Sequence, residues 1–244
     1  MSTVVFQKYD GTQVTDAMLQ EASRLFTENY GVWERKPPES LALSPKQAAV
    51  VTVDDHLAGN AFACRWQYND KSVLWITQLV VDRDYRERGL ALGLLNALRQ
   101  DDDDIYGIMS SHAAACKAAA KIFGSSISMV KLDFIRCHAA SIMHDSPISY
   151  VRDARLRGNL FDPDGTSGLV SSVDTDFYVD HTEPLQALDL VQEDTEWPLG
   201  ELIEGHEFLL LSEIRRRPRS KARSLSGSSG LKSTIQPSQP LGQQ

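Results

Sequence analysis

Residues 79–100 read LVVDRDYRERGLALGLLNALRQ: an apolar run, a loop crowded with Asp, Arg and Glu, and a Leu-rich repeat, with Gly89 at the joint. Leu90, Leu94, Leu95 and Leu98 recur at helical spacing, so the last part predicts a helix with one buried face. The run SVLWITQLVVD (72–82) is apolar almost throughout, which suits a central strand covered on both faces, with Thr77 and Gln78 as its polar interruption. The chain thus passes from a buried strand through an exposed loop into the start of a buried helix. Helix openings leave backbone N–H groups free and carry the positive end of the macrodipole, so this joint is a natural seat for phosphate. Gly89 and the small Ala91 let an anion approach the backbone, and Arg86 and Arg88 add charge.

Upstream, AAVVTVD (48–54) and LAGNAFACRWQY (57–68) read as strands separated by DH and ND turn signals, so antiparallel pairing is expected. Downstream, DIYGIMSS (104–111) predicts a strand and HAAACKAAAKIFG an Ala-rich helix, with Ser111 as N-cap and Gly124 just past the C-terminus. The N-terminus reads as strand STVVFQKYD, then a helix capped by Thr15 or Asp16, then a Pro-containing loop from 31 to 45 with Tyr30 and Trp33 at its entrance. Residues 125–168 predict a helical insertion. SSVDTDFYVDH, EPLQALDLVQ and HEFLLLSEI close the chain as strand, short helix and strand. The fold class is α/β (α+β): a mixed, mainly antiparallel central sheet flanked by helices.

A length of 244 residues favours one domain plus extensions. The N-terminal residues lack a signal-peptide pattern, and no stretch is long and apolar enough to span a membrane. Cys64, Cys116 and Cys137 are too few and too scattered for a disulfide framework, so a reducing, cytoplasmic setting is expected. Residues 215–244 hold seven of the 25 basic residues and no acid, leaving a body of −15 and a tail of +7. The acidic body argues against nucleic acid as partner and in favour of an amine. The tail, RRRPRSKARSLSGSSGLKSTIQPSQPLGQQ, is too polar to bury itself and is expected to be disordered; RRRPRSKAR is a candidate nuclear localisation signal. Domain organisation is therefore 1–214 plus a basic tail at 215–244.

The segment Arg86-x-x-Gly89-x-Ala91 after a strand resembles the acetyl-CoA-binding motif of the GNAT superfamily of acyl-CoA N-acyltransferases, and the order of elements over residues 3–124 is similar. WITQLVV and YRERGLA, with the later DFYVDH and WPLGELIEGHEF, are most similar to fungal GNAT-like proteins. A dinucleotide site fits less well, since there is no Gly-x-Gly-x-x-Gly and the preceding strands look antiparallel. The resemblance implies a GNAT fold over 1–214 and acetyl-CoA as cosubstrate. It further implies an amine attacking directly in a ternary complex. Leu79, Val80 and Val81 would pair with the pantetheine arm. Backbone N–H groups of Arg86, Glu87, Arg88, Gly89, Leu90, Ala91 and Leu92 would hold the pyrophosphate, with Arg88 adding charge. Tyr30 and Trp33 would line the acceptor pocket.

Two family features are missing: the helix 112–123 has no Tyr to act as acid, and the strand 73–81 has no Glu or Asp to act as base. The remaining candidates for proton transfer are His112, His181, Cys116 and the segments DFYVDH and EGHEF. Helix capping is the alternative role for His112, a plain loop position for His181, and core packing for Cys116. His138 and His144 fall on different sides of a helix, so no metal site is expected. A non-catalytic CoA-binding or interaction protein is the second reading, and neither the acceptor nor the oligomeric state is legible.

Overall fold

The structure, a computed structural model, describes residues 2–29, 47–163, 168–178 and 180–216. Its elements run β1 (Val4–Asp10), α1 (Asp16–Asn29), β2 (Gln47–Val53), β3 (His56–Tyr68), β4 (Lys71–Val81), α2 (Leu90–Leu98), β5 (Ile105–Ser110) and α3 (Ala113–Phe123). They continue through α4 (Leu132–His144), α5 (Ser149–Arg152), β6 (Arg155–Arg157), β7 (Ser172–Phe177), α6 (Thr182–Asp194) and β8 (Gly205–Glu213). The eight strands form one sheet in the order β1-β2-β3-β4-β5-β8-β7-β6. Among the described residues only β4 and β5 run parallel, and α2 makes the crossover between them. The expected mixed, mainly antiparallel sheet is therefore observed.

The hairpins follow from their turn residues. Asp54 and Asp55 (φ 49° and 65°) and Asn69 and Asp70 (φ 47° and 59°) take the left-handed conformations of tight two-residue loops, whose twist matches that of the strands they join. In β4, Val73, Leu74, Trp75 and Ile76 are at most 1% exposed, as expected of a strand covered on both faces. Gly107 in β5 lies under the Trp75 ring, where an added Cβ would come within 2.3 Å. On α2, Leu90, Leu94, Leu95 and Leu98 are buried, and Gly93 lets the helix close onto Phe6 of β1.

A polar clamp holds the far end of α2. Arg65 on β3 donates to both carboxylate oxygens of Asp103, at 2.5 and 2.9 Å, to the Leu98 carbonyl at 2.6 Å, and to Gln47. The Asp103 side chain is fully buried and also accepts from the Gln100 N–H at 2.7 Å. Strands β2 and β3 and the helix end are thereby tied at one point.

Several expectations change. The N-cap of α3 is His112 rather than Ser111, because the imidazole Nδ1 accepts the Ala114 N–H at 3.3 Å. Gly124 is the C-cap and keeps a negative φ of −104°. The insertion is helical only as far as Arg152, after which Arg155–Arg157 pair with β7 as a sheet edge. The Thr15 cap is present, its hydroxyl accepting the Met18 N–H at 3.3 Å. Arg215 and Arg216, the first residues assigned to the tail, bond to the body: the Arg215 N–H donates to the Phe123 carbonyl, and Arg216 pairs with Asp104. The rest of the tail lies outside the described residues. Among those described, no helix is long and apolar enough to cross a membrane.

Candidate functional site

The site begins with a defect in β4. Phe62 of β3 pairs with Gln78 and Ala63 with Ile76, so Thr77 is an extra residue bulged out of the ladder. A bulge bends its strand and raises the local twist. Pairing between β4 and β5 ends at this point: its last partners are Ile76 and Ile108, although both strands continue. On its other edge β5 keeps its pairing with β8 throughout, from Ile105–Glu213 to Ser110–Phe208. Past Thr77, β4 therefore presents an unpaired backbone edge to a gap.

Ladder alternation says which groups face that gap. The Asp82 N–H donates to the Ala58 carbonyl at 3.0 Å, so Val80 and Gln78 also bond towards β3, whereas Leu79 and Val81 point the other way. Of the three residues expected to line the gap with backbone groups, Leu79 and Val81 do so and Val80 faces β3. Val81 also accepts from Arg86 Nε at 3.3 Å. Gln78 donates to buried Asn60 at 3.0 Å, and the buried Thr77 Oγ1 has no partner among the described residues.

Strand β4 leads, through a short loop, into the opening of α2. Glu87 (φ 61°) and Gly89 (φ 76°) take left-handed conformations on either side of Arg88. The first helical bond is from the Gly93 N–H to the Gly89 carbonyl, and Gly89 offers no side-chain cap, so the Leu90, Ala91 and Leu92 N–H groups have no intrahelical partner. Among the described residues nothing lies within 4 Å of a Cβ placed at Gly89, so the joint is open rather than packed. These groups fit a polyphosphate: donors, open space and a positive helix end coincide.

The arginines divide their work. Arg86 donates to Glu183, to the Asn29 carbonyl at 2.8 Å and to the Val81 carbonyl, which fastens the loop to α1, β4 and α6. Arg88 donates to the Asp84 carbonyl at 2.8 Å and lies over the Tyr85 ring, 5.2 Å from its centre. Glu183 also stands 3.7 Å from His112 Nε2 and 3.5 Å from Arg83. The nearby His112 imidazole, and after it the Arg86 guanidinium, hold its carboxyl down at about 2 against the cost of partial burial. Because Nδ1 of His112 is occupied as an acceptor, its proton sits on Nε2, facing Glu183. His181 is the N-cap of α6. Neither histidine lines the gap between β4 and β5. Tyr30 and Trp33 lie outside the described residues.

The gap opens into a cavity of about 240 Å³. Its β4 and β5 walls are Ile76–Leu79 and Ile108–Ser110, and α3 contributes Ala115. The insertion closes it: the Tyr150 hydroxyl of α5 donates to the Thr77 carbonyl at 3.3 Å, and Asp153 and Arg155 follow on the rim. Strand β7 brings Asp174, Thr175 and Asp176 through a second bulge, where the register with β8 jumps between Asp174 and Phe177 and Asp176 takes φ 53°. Arg155 bridges Asp174 and Asp176 at 3.0 and 3.1 Å. From β8 comes Glu207, 9% exposed. Burial pushes its carboxyl up to about 7, and the Thr175 hydroxyl offsets part of the rise.

Cys116 is fully buried on α3. Burial first, and the Glu207 charge second, push its thiol well above the ordinary range, which makes it a packing residue and an unreactive nucleophile. Glu207 was visible only as part of the candidate segment EGHEF. Its one sequence signal is an acid set in the otherwise apolar run EFLLL. Among the described residues, no cluster of three or more His, Cys, Asp or Glu is placed to hold a metal ion.

The profile of the acetyltransferase (GNAT) family matches residues 16–124. No curated protein matches the sequence. Among solved structures, an aminoglycoside acetyltransferase from an uncultured soil metagenomic sample is similar at 17% identity and a TM-score of 0.31, with 38% of this chain and 66% of that chain covered. NAA60 of Arabidopsis thaliana, in complex with acetyl-CoA, is similar at 12% identity and a TM-score of 0.38, covering 49% and 85%. The ribosomal-protein-S18-alanine N-acetyltransferase of Escherichia coli is similar at 16% identity and a TM-score of 0.35, covering 50% and 76%.

Proposed function

With residues 16–124 belonging to the acetyltransferase (GNAT) family, we propose that the protein transfers an acetyl group from acetyl-CoA to a primary amine by direct attack in a ternary complex. The observation that carries this reading is the parting of β4 from β5 at the Thr77 bulge, in the strand that leads to the uncapped start of α2. A pantetheine arm laid in that gap replaces β5 as the partner of Leu79 and Val81, pairing amide to amide as a strand does. The pyrophosphate takes the N–H groups from Arg86 to Leu92. Arg88 supplies added charge, while Arg86, engaged by Glu183, Asn29 and Val81, shapes the loop.

The rim on the acceptor side is acidic. Asp153, Asp174 and Asp176 outnumber Arg155, which favours an acceptor that arrives as an ammonium ion. This attraction acts at short range, since screening limits exposed charges to about 8 Å at physiological salt.

The test is thiol release from acetyl-CoA with a panel of primary amines. Release that depends on the amine is the expected result, with the acetylated amine recovered as product. CoA binding without release across the panel would support the second reading, a non-catalytic CoA-binding protein, which the missing Tyr in α3 and missing acid in β4 favour.

A further inference from the structure

We propose that Glu207 is the general base of this transfer, supplied by β8 in place of the acid absent from β4. The assignment rests on the acyltransferase reading above. A protonated amine cannot attack a thioester, so the site needs a group that removes a proton at the point of reaction. Glu207 lines the cavity beside the point where β4 and β5 stop pairing, on β8, the strand that pairs with the other edge of β5. It pairs with Val173 across the β7 ladder, and the bulge after Asp174 brings Thr175 against it. Two strand irregularities, at Thr77 and at Thr175–Asp176, thus frame the same carboxyl from opposite walls. Bulges beside a cavity commonly re-aim side chains into it.

The charged and titratable groups around Glu207 are Cys116 on α3, Tyr150, Asp153 and Arg155 from the insertion, and Asp174 and Asp176 on β7. Arg155 is spent on the two β7 aspartates, so among the described residues no cation of the cavity is bonded to Glu207. An incoming ammonium supplies that missing charge. The carboxylate takes one ammonium proton. The nitrogen lone pair then forms the C–N bond with the thioester carbonyl carbon, and the C–S bond breaks. The departing sulfur takes a second N–H proton and leaves as the thiol, and the third hydrogen stays on the amide. Burial that raises the carboxyl to about 7 makes it a stronger base than a surface glutamate while leaving it ionised in part at neutral pH.

Glu207→Gln keeps the size and shape of the side chain beside Thr175 and removes its charge, so it separates catalysis from structure. In full-length protein, kcat/KM for the best amine of the panel is expected to fall by about 100- to 10,000-fold, with CoA affinity by calorimetry unchanged. The wild-type profile should lose activity as pH falls below about 7. In the variant that limb disappears, leaving only a rise towards the amine's own ionisation. Stability offers a second readout. A carboxyl raised from 4.5 to about 7 on folding contributes stability that is full below 4.5 and lost as pH rises through about 7, so the variant should gain Tm over wild type as pH goes from 5 to 8. A variant that keeps the wild-type rate and acid limb, or a Tm difference flat across that range, overturns the assignment alone. If wild-type protein binds CoA and acetylates no amine, the acyltransferase reading falls, and the base assignment falls with it.

Discussion

Valine at Gly89 is expected to lower CoA affinity by about a hundredfold or more while leaving a folded protein. The position takes φ 76°, where a residue with a Cβ costs about 1–2 kcal/mol, a modest loss for a domain. The new side chain has room, since among the described residues nothing lies within 4 Å of a Cβ there, but that room is the open space beside the Leu90, Ala91 and Leu92 N–H groups. Losing two hydrogen bonds to a charged phosphate, at about 1.5–3 kcal/mol each, removes a factor of about a hundred or more, at about 1.4 kcal/mol per tenfold. Titration calorimetry with CoA, paired with a thermal melt, measures both terms. Loss of affinity with a preserved melt is the expected pattern. Unchanged affinity would remove the α2 opening from the binding account.

The largest effect on stability is expected at the other end of the same helix. Asp103→Ala should destabilise the protein by about 3–5 kcal/mol, the usual range when one partner of a buried ion pair is removed. Arg65, with a side chain 17% exposed, would keep its bonds to Leu98 and Gln47 but lose its counter-ion, and the Gln100 N–H would lose its acceptor. Urea unfolding followed by tryptophan fluorescence reports the change as a fall in midpoint at constant slope. CoA affinity of the fraction that remains folded should be nearly that of wild type, because the phosphate seat lies at the opposite end of a nine-residue helix, about 13 Å away.

These expectations rest on features that differ in how plainly they show in the sequence. Local patterns carried the β4–α2 joint: apolar continuity in 72–82, the leucine spacing of α2 and Gly89 between them are all read over short distances. The hairpin turns, the Thr15 cap and the Ala-rich α3 were legible for the same reason. The Thr77 bulge was not, because a bulge is a mismatch between two strands and neither strand alone displays it. Thr77 and Gln78 did mark the place as polar residues in an apolar strand, and the structure gives Gln78 to Asn60 while leaving Thr77 Oγ1 facing the cavity.

The short edge strand β6 escaped because three residues carry too little periodicity to outweigh the helical pattern before them. His112 was marked by its place at a helix start, but its Glu183 partner lies 71 positions away and only the packing of α6 reveals it. Glu207 shows the same limit in the residue with most chemical consequence. Its burial, its place beside the gap and its Thr175 neighbour all come from strand order, in which β8 inserts between β5 and β7. An acid within an apolar strand was the available signal, and it does not say which cavity that acid faces.

A crystal structure of the protein soaked with CoA tests the central claim most directly. The pantetheine arm should lie between β4 and β5, bonded to backbone groups of Leu79 and Val81, with the pyrophosphate on the N–H groups of Leu90, Ala91 and Leu92 and the sulfur directed towards the cavity that holds Glu207. CoA seated elsewhere, or no CoA bound with the gap fully open to solvent, would contradict the account.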